Sequence, residues 1–190
     1  WLSKIGLADT IGWVYTVGPL AAILAPLFLG MIADRYFASQ RVLSALMLIG
    51  GISMLLVPSV ALSVAENWKV ITAELESQGE TVASTYGSGF LGVFPPIIPA
   101  HLPFIGLIFL HMVCFMPTLG LTNTIAFRNI EDGEKQFPVI RVFGTIGWII
   151  AGLILGYGLK LDETPIPLYV TGGACLVFAV YSFLLPDTPP

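Results

Sequence analysis

Residues 42–65 read VLSALMLIGGISMLLVPSVALSVA, 24 residues between Arg41 and Glu66 without a formal charge. A helix needs about 20 apolar residues to cross the hydrocarbon core of a bilayer, so this run is read as a membrane span. The same reasoning extends outward in both directions. Asp9 and Asp34 enclose another 24 uncharged residues, Arg141 and Lys160 enclose 18, and Glu163 and Asp187 enclose 23. The stretch from Glu80 to Arg128 is uncharged over 47 residues, too long for one helix. Pro95, Pro96, Pro99 and Pro103 break its first half, leaving a span from about Ile105 to Phe127. Five spans result, at about 11–33, 42–63, 105–127, 139–159 and 167–185. The expected fold class is an all-α membrane protein built as a helical bundle.

Composition agrees. Of 190 residues 56% are hydrophobic and 11% charged, and the mean hydropathy is +0.88. A soluble domain carries about 25% charged residues, and half that supply cannot cover a water-soluble surface. The remaining solvent is lipid. A net charge of −4 gives no reason to expect a nucleic-acid partner. Cys114 and Cys175 both lie in apolar runs and read as small core residues rather than a disulfide. The chain begins at Trp1, just before the first span and without an initiator methionine; the expectation is a piece of a longer protein.

Lysine and arginine set the orientation. Arg35, Arg41, Arg128, Lys135 and Arg141 fall on one side, and Lys4, Lys69 and Lys160 on the other. This majority places the 34–41 and 128–138 loops in the cytoplasm and the 64–104 segment outside, as an extracytoplasmic insertion. Within it, residues 66–77 (ENWKVITAELES) suit a short amphipathic turn with Trp68, Ile71 and Leu75 on one face at the membrane surface. Residues 77–94, rich in Gly and Ser, read as loop. Gly87, Gly89 and Gly92 spell GxGxxG there, but a dinucleotide fingerprint needs a strand before it and a helix after it; prolines follow instead, and the match reads as chance.

The first cytoplasmic loop, Gly30-Met-Ile-Ala-Asp34-Arg35 through Arg41, resembles the GxxxDR…R signature of the major facilitator superfamily. Tyr36 and Phe37 stand where that family carries a glycine, so the match is partial. A sharper resemblance lies in FMPTLGLTNTIAF (115–127), FPVIRVFGTIGW (137–148) and LYV…LLPDTP (168–189), with the first span IGWVYTVGPLAAILAPLFLGMIADRYF. These runs are similar to the nucleoside:proton symporter family of the same superfamily, over most of the chain except 64–100. The resemblance implies a partial major facilitator fold, helices 2–6 of an expected 12, with Trp1 to Leu7 the tail of helix one. Asp34, Arg35 and Arg128 would then act at the cytoplasmic gate, with Asp34 and Arg128 as a pair.

The fourth span carries the most chemistry. At about 100° per residue, Arg141, Thr145, Trp148 and Gly152 fall on one stripe, and Gly144, Gly147, Ala151 and Gly158 on the next. The second stripe admits close approach of another helix. Pro138 suits a first helical turn, which sets Arg141 about one turn in, where a cation opposes the macrodipole. Two readings of Arg141 stand. It snorkels to the interface, or it faces a central cavity, where intramembrane charges mark substrate pathways. The resemblance implies the second, with Arg141, Thr145 and Trp148 lining a nucleoside site, although the family position of Trp148 is elsewhere a phenylalanine. On the third span Thr118 and Thr122 lie one turn apart with Asn123 beside them. Their hydroxyls bond either their own backbone or a neighbour, and Asn123 is the costlier group to bury.

No Asp or Glu lies in the middle of any span. His101 and His111 are the neutral-pH titrators near the spans, so the carboxylates of any proton coupling are expected in a missing carboxyl-terminal half. No HExxH, paired carboxylate or Cys/His cluster points to an enzyme, a metal or a cofactor. The functional expectation is a multi-pass integral membrane transporter whose partners are a nucleoside substrate, protons, the bilayer and the rest of its own chain. Another small polar solute such as a sugar, or a non-transporting membrane nucleoside sensor, is the alternative.

Overall fold

A computed structural model of the chain describes residues 1–36, 38–87, 98–161 and 163–186, and the side chains of these except 26–36. Every regular element among the described residues is helical: α1 (Ile11–Tyr36), α2 (Ser39–Ser77), α3 (Val82–Tyr86), α4 (Leu102–Asn129), α5 (Gly133–Gly152) and α6 (Ile166–Ser182). Among the described residues, four helices are long and apolar enough to cross a membrane, within Ala8–Ala25, Ser39–Ser77, Pro99–Asn129 and Gly133–Gly158. Helix α6, at Ile166–Ser182, is also apolar but shorter. The chain is an all-α membrane protein.

Helix α2 is the centre. It packs against α4 on one side and α6 on the other, and α1 lies against α4. The pair Gly50-Gly51 makes this possible. A Cβ on Gly50 would stand 3.2 Å from Cys114 Cβ of α4, and one on Gly51 would stand 3.0 Å from Cys175 Cβ of α6. Absent side chains thus let two helices reach the α2 backbone from both flanks. Both cysteines are buried free thiols in these contacts. His111 sits in the α2–α4 seam, where its Nδ1–H donates to the Gly50 carbonyl at 2.8 Å and its ring stacks on Phe115 at 5.8 Å. Across the other seam, Ser44 donates to the Ala179 carbonyl at 2.7 Å.

Helix α2 departs from the expected span. Its 39 residues continue to Ser77, roughly 58 Å at 1.5 Å per residue, about twice the hydrocarbon thickness. Residues 66–77 are therefore its last turns and not a separate turn on the membrane surface. Trp68 is buried, with its ring 4.7 Å from His101, edge to face, and 6.3 Å from Tyr86. Helix α3 forms within the segment read as loop, because Thr81 and Ser84 make a capping box: the Ser84 N–H donates to Thr81 Oγ1 at 3.2 Å and the Thr81 N–H to Ser84 Oγ at 2.9 Å. Gly87 follows with φ +79°; Gly89 and Gly92, like Pro95 and Pro96, lie outside the described residues. His101 is buried and its Nε2 has no hydrogen-bond partner among the described residues.

Lys4, before α1, pairs with Glu163, in the turn before α6. The Lys4 ammonium, by hydrogen bond and charge, holds the Glu163 carboxyl below its ordinary value of 4.5. A carboxyl lowered by folding contributes above its unfolded pKa and loses that contribution as pH falls through the folded one. Lys4→Ala should return the Glu163 titration towards 4.5, as read by carboxyl NMR. The pair is solvent-exposed, so its effect on the melting temperature should be small.

Candidate functional site

Helix α5 stands apart from this bundle. None of its residues is buried, and it meets the rest of the chain at its base, where Phe137 stacks on Phe127 of α4 at 4.1 Å. It begins earlier than the proline implied. Asp132 is the N-cap, accepting the Lys135 N–H at 3.2 Å, and Gln136 Oε1 accepts the Glu131 N–H at 3.1 Å. These two side chains satisfy donors at a helix start, and Pro138 falls inside the helix. Arg141 consequently lies beyond the first turn, where the macrodipole term has fallen away, and the expected amino-terminal penalty does not apply. At the far end the α-helix gives way at Leu153 to a π-helical turn through Gly158.

Because α5 is attached at its base, an open groove runs between it and α4, with a volume of about 570 Å³. That lies within the roughly 300–1,000 Å³ range of small-molecule clefts. Arg141, Thr145 and Trp148 line its α5 wall, and Thr122 and Asn123 line its α4 wall. Phe115 and Phe137 add aromatic surface. All four residues picked for substrate contact thus border one space. Trp148 is 79% exposed. The small-residue stripe beside them is open: a Cβ on Gly144 or Gly147 would meet nothing within 4 Å among the described residues.

The threonines divide. Thr118 is buried and donates to the Phe115 carbonyl at 2.6 Å, so it belongs to the helix interior. Thr122 donates to the Thr118 carbonyl at 2.8 Å but borders the groove, a residue whose role the sequence left between backbone and neighbour. A slightly larger cleft, about 610 Å³, lies between α2 and the start of α4. Its lining, including Ser59, Ser63 and Asn67, offers neither a charge nor an aromatic ring. The α4–α5 groove, with a cation, hydroxyls, an amide and an indole together, is the candidate site.

The gate residues are seen less fully. Arg128 is exposed in the last turn of α4, where a cation complements the helix dipole. Asp34 and Arg35 lie in the last turns of α1, and their side chains are outside the described residues. Among the described residues no group of three or more His, Cys, Asp or Glu is placed to hold a metal.

The family described as Nucleoside H+ symporter matches residues 1–73 and 98–190. A candidate nucleoside transporter of Escherichia coli (strain K12), YegT, is 39% identical over all of this chain and 37% of its own length. The xanthosine permease of the same organism is 25% identical over 94% of this chain and 34% of its own. The nucleoside permease NupG, also from that strain, is 25% identical over all of this chain and 39% of its own. The chain therefore spans well under half the length of these curated relatives. No solved structure matches it.

Proposed function

Since the chain belongs to the nucleoside H+ symporter family, we propose that it is part of a secondary transporter that moves nucleosides across a membrane by alternating access. Proton coupling and a twelve-helix, major facilitator architecture belong to the same proposal. The observation that carries it is the α4–α5 groove, which gathers Arg141, Thr145, Trp148 and Asn123 around one open space. Arg141 supplies hydrogen-bond donors in a fixed fork, suited to the carbonyl acceptors of a base. Trp148 offers a π face on which a base stacks, a contact worth roughly 1–3 kcal/mol where it has been measured for single-stranded nucleic acids. Asn123, able to donate and accept, lies on the opposite wall. No bond is made or broken in the solute, and the role is that of a carrier, not an enzyme.

Helix α5, which packs on α4 at its base, is the element whose movement would open or close the groove, and rocking of helix bundles about a midplane site is the established mode of such carriers. Asp34, Arg35 and Arg128, at the ends of α1 and α4, are proposed to hold the cytoplasmic side shut in one state.

The test is uptake by the full-length protein in proteoliposomes. Labelled uridine should accumulate, unlabelled nucleosides should compete, and hexoses in large excess should not. Competition by hexoses but not nucleosides would transfer the site to sugars. Binding of nucleoside without any accumulation would make the protein a sensor.

A further inference from the structure

Helix α3 lies outside the family match, which stops at residue 73 and resumes at 98. It is bounded by Gly79 and Gly87, whose φ angles are +74° and +79°. A Cβ at either would meet nothing within 4 Å among the described residues. Neither glycine therefore serves close packing, and each is a point where the backbone turns freely. Between them the Thr81–Ser84 capping box, and the bond from Thr85 Oγ1 to Glu80 Oε2 at 3.0 Å, hold α3 together from within. No residue of α3 is buried, and it rests on the bundle through Val82 and Tyr86. This is a self-contained piece, lightly seated, between two pivots.

Beneath it is Trp68, whose ring lies 6.3 Å from Tyr86 and 4.7 Å from His101. His101 is 3% exposed, and its Nε2 finds no hydrogen-bond partner among the described residues. A neutral imidazole leaves one polar atom unmet there. An imidazolium would leave a charged N–H unmet, which costs far more. Asp9, just ahead of α1, is a charge that acts on the ring but does not satisfy Nε2. Of the other groups at this end, Tyr86 keeps its proton through neutral pH, and Glu80 accepts from Thr85. Glu66 and Lys69, on either side of Trp68 in α2, are exposed.

We propose that residues 79–87 are a pH-sensitive strap, closed over Trp68 while His101 is neutral and swung away on Gly79 and Gly87 when His101 takes up a proton. Lifting α3 lets water reach the charged ring and supply the partner that the closed state lacks. The open state holds one more proton than the closed one, so acidification favours opening. The change falls between about pH 5 and pH 7, where histidine titrates. This goes beyond the nucleoside reading and does not depend on it.

The experiment places spin labels on cysteines at Ala83 of α3 and Leu62 of α2, both exposed, in an otherwise cysteine-free full-length protein. Double electron–electron resonance then reads the strap. From about pH 7.5 to about pH 5.5 the short distance should give way to a longer one. The open-to-closed ratio should rise at least ~10-fold, within the one-proton limit of about tenfold per pH unit. His101→Phe keeps a ring against Trp68 and cannot titrate, so it should hold the short distance throughout. His101→Gln, polar but equally unable to titrate, should lose the pH dependence too. A distance unmoved by pH in the unaltered protein would overturn the strap as a pH device. A pH response that survives in both variants would overturn His101 as its sensor.

Discussion

Replacing Arg141 with alanine in the full-length protein is expected to lower nucleoside uptake by at least ~100-fold without changing the amount of protein in the membrane. Hydrogen bonds to a charged group contribute about 1.5–3 kcal/mol each, and a guanidinium reaches a planar acceptor pair with two of them. Removing both therefore costs at least two decades. Folding should be indifferent to the change. Arg141 is exposed on a helix with no buried residue, and it lies too far along α5 for the macrodipole to weigh on it. Arg141→Lys keeps the charge and discards the fork, so it should fall between, at roughly a tenfold loss. Initial uptake rates normalised to membrane-inserted protein check both. Unchanged uptake in the alanine variant would take Arg141 out of the site.

The helical, membrane-spanning class was legible from charge spacing alone, because twenty-odd consecutive apolar residues have few alternatives in water or lipid. The ends of helices were less so. Pro138 pointed to a helix start, but Asp132, six residues earlier, is the N-cap, and the Gln136 side chain reaches back to the Glu131 N–H; a proline tolerated inside α5 does not announce itself in sequence. Likewise Glu66, Lys69 and Glu74 marked where the bilayer ends, not where α2 ends. A helix that continues into water has no reason to stop at its first charge. Within the site, the i, i+4, i+7 spacing of Arg141, Thr145 and Trp148 placed them on one stripe, which any helix enforces. That this stripe borders the Thr122–Asn123 face of α4 depends on the two helices meeting near the Phe127–Phe137 stack, a tertiary fact that no local pattern encodes. Thr122 was not separable from Thr118 by sequence, since both spend their protons on the same helix; burial alone divides them.

Gly172→Val should destabilise the protein far more than Gly173→Val, although the two positions are adjacent on one helix. A Cβ at Gly172 would stand 2.7 Å from Leu55 Cγ and Cδ2 and 3.0 Å from the Gly51 carbonyl, whereas one at Gly173 meets nothing within 4 Å among the described residues. The two glycines Gly51 and Gly172 face each other across the α2–α6 seam, each leaving room for the other's backbone. In a bilayer, where lipid is as apolar as leucine, such close packing is itself the attraction between helices. A valine at Gly172 must push α6 away, loosening the Ser44–Ala179 bond and the contact over Cys175 with it. Overpacking of this kind costs about 1–3 kcal/mol, which at about 2–4 °C per kcal/mol for a chain of this size lowers the melting temperature by roughly 2–12 °C. Both variants carry the same small helix-propensity change, so their difference reports the seam. Because neither residue borders the α4–α5 groove, the surviving Gly172→Val protein should bind nucleoside with an unchanged Kd. A weakened Kd at undiminished stability would mean that the seam is part of the moving machinery rather than the frame against which α5 moves.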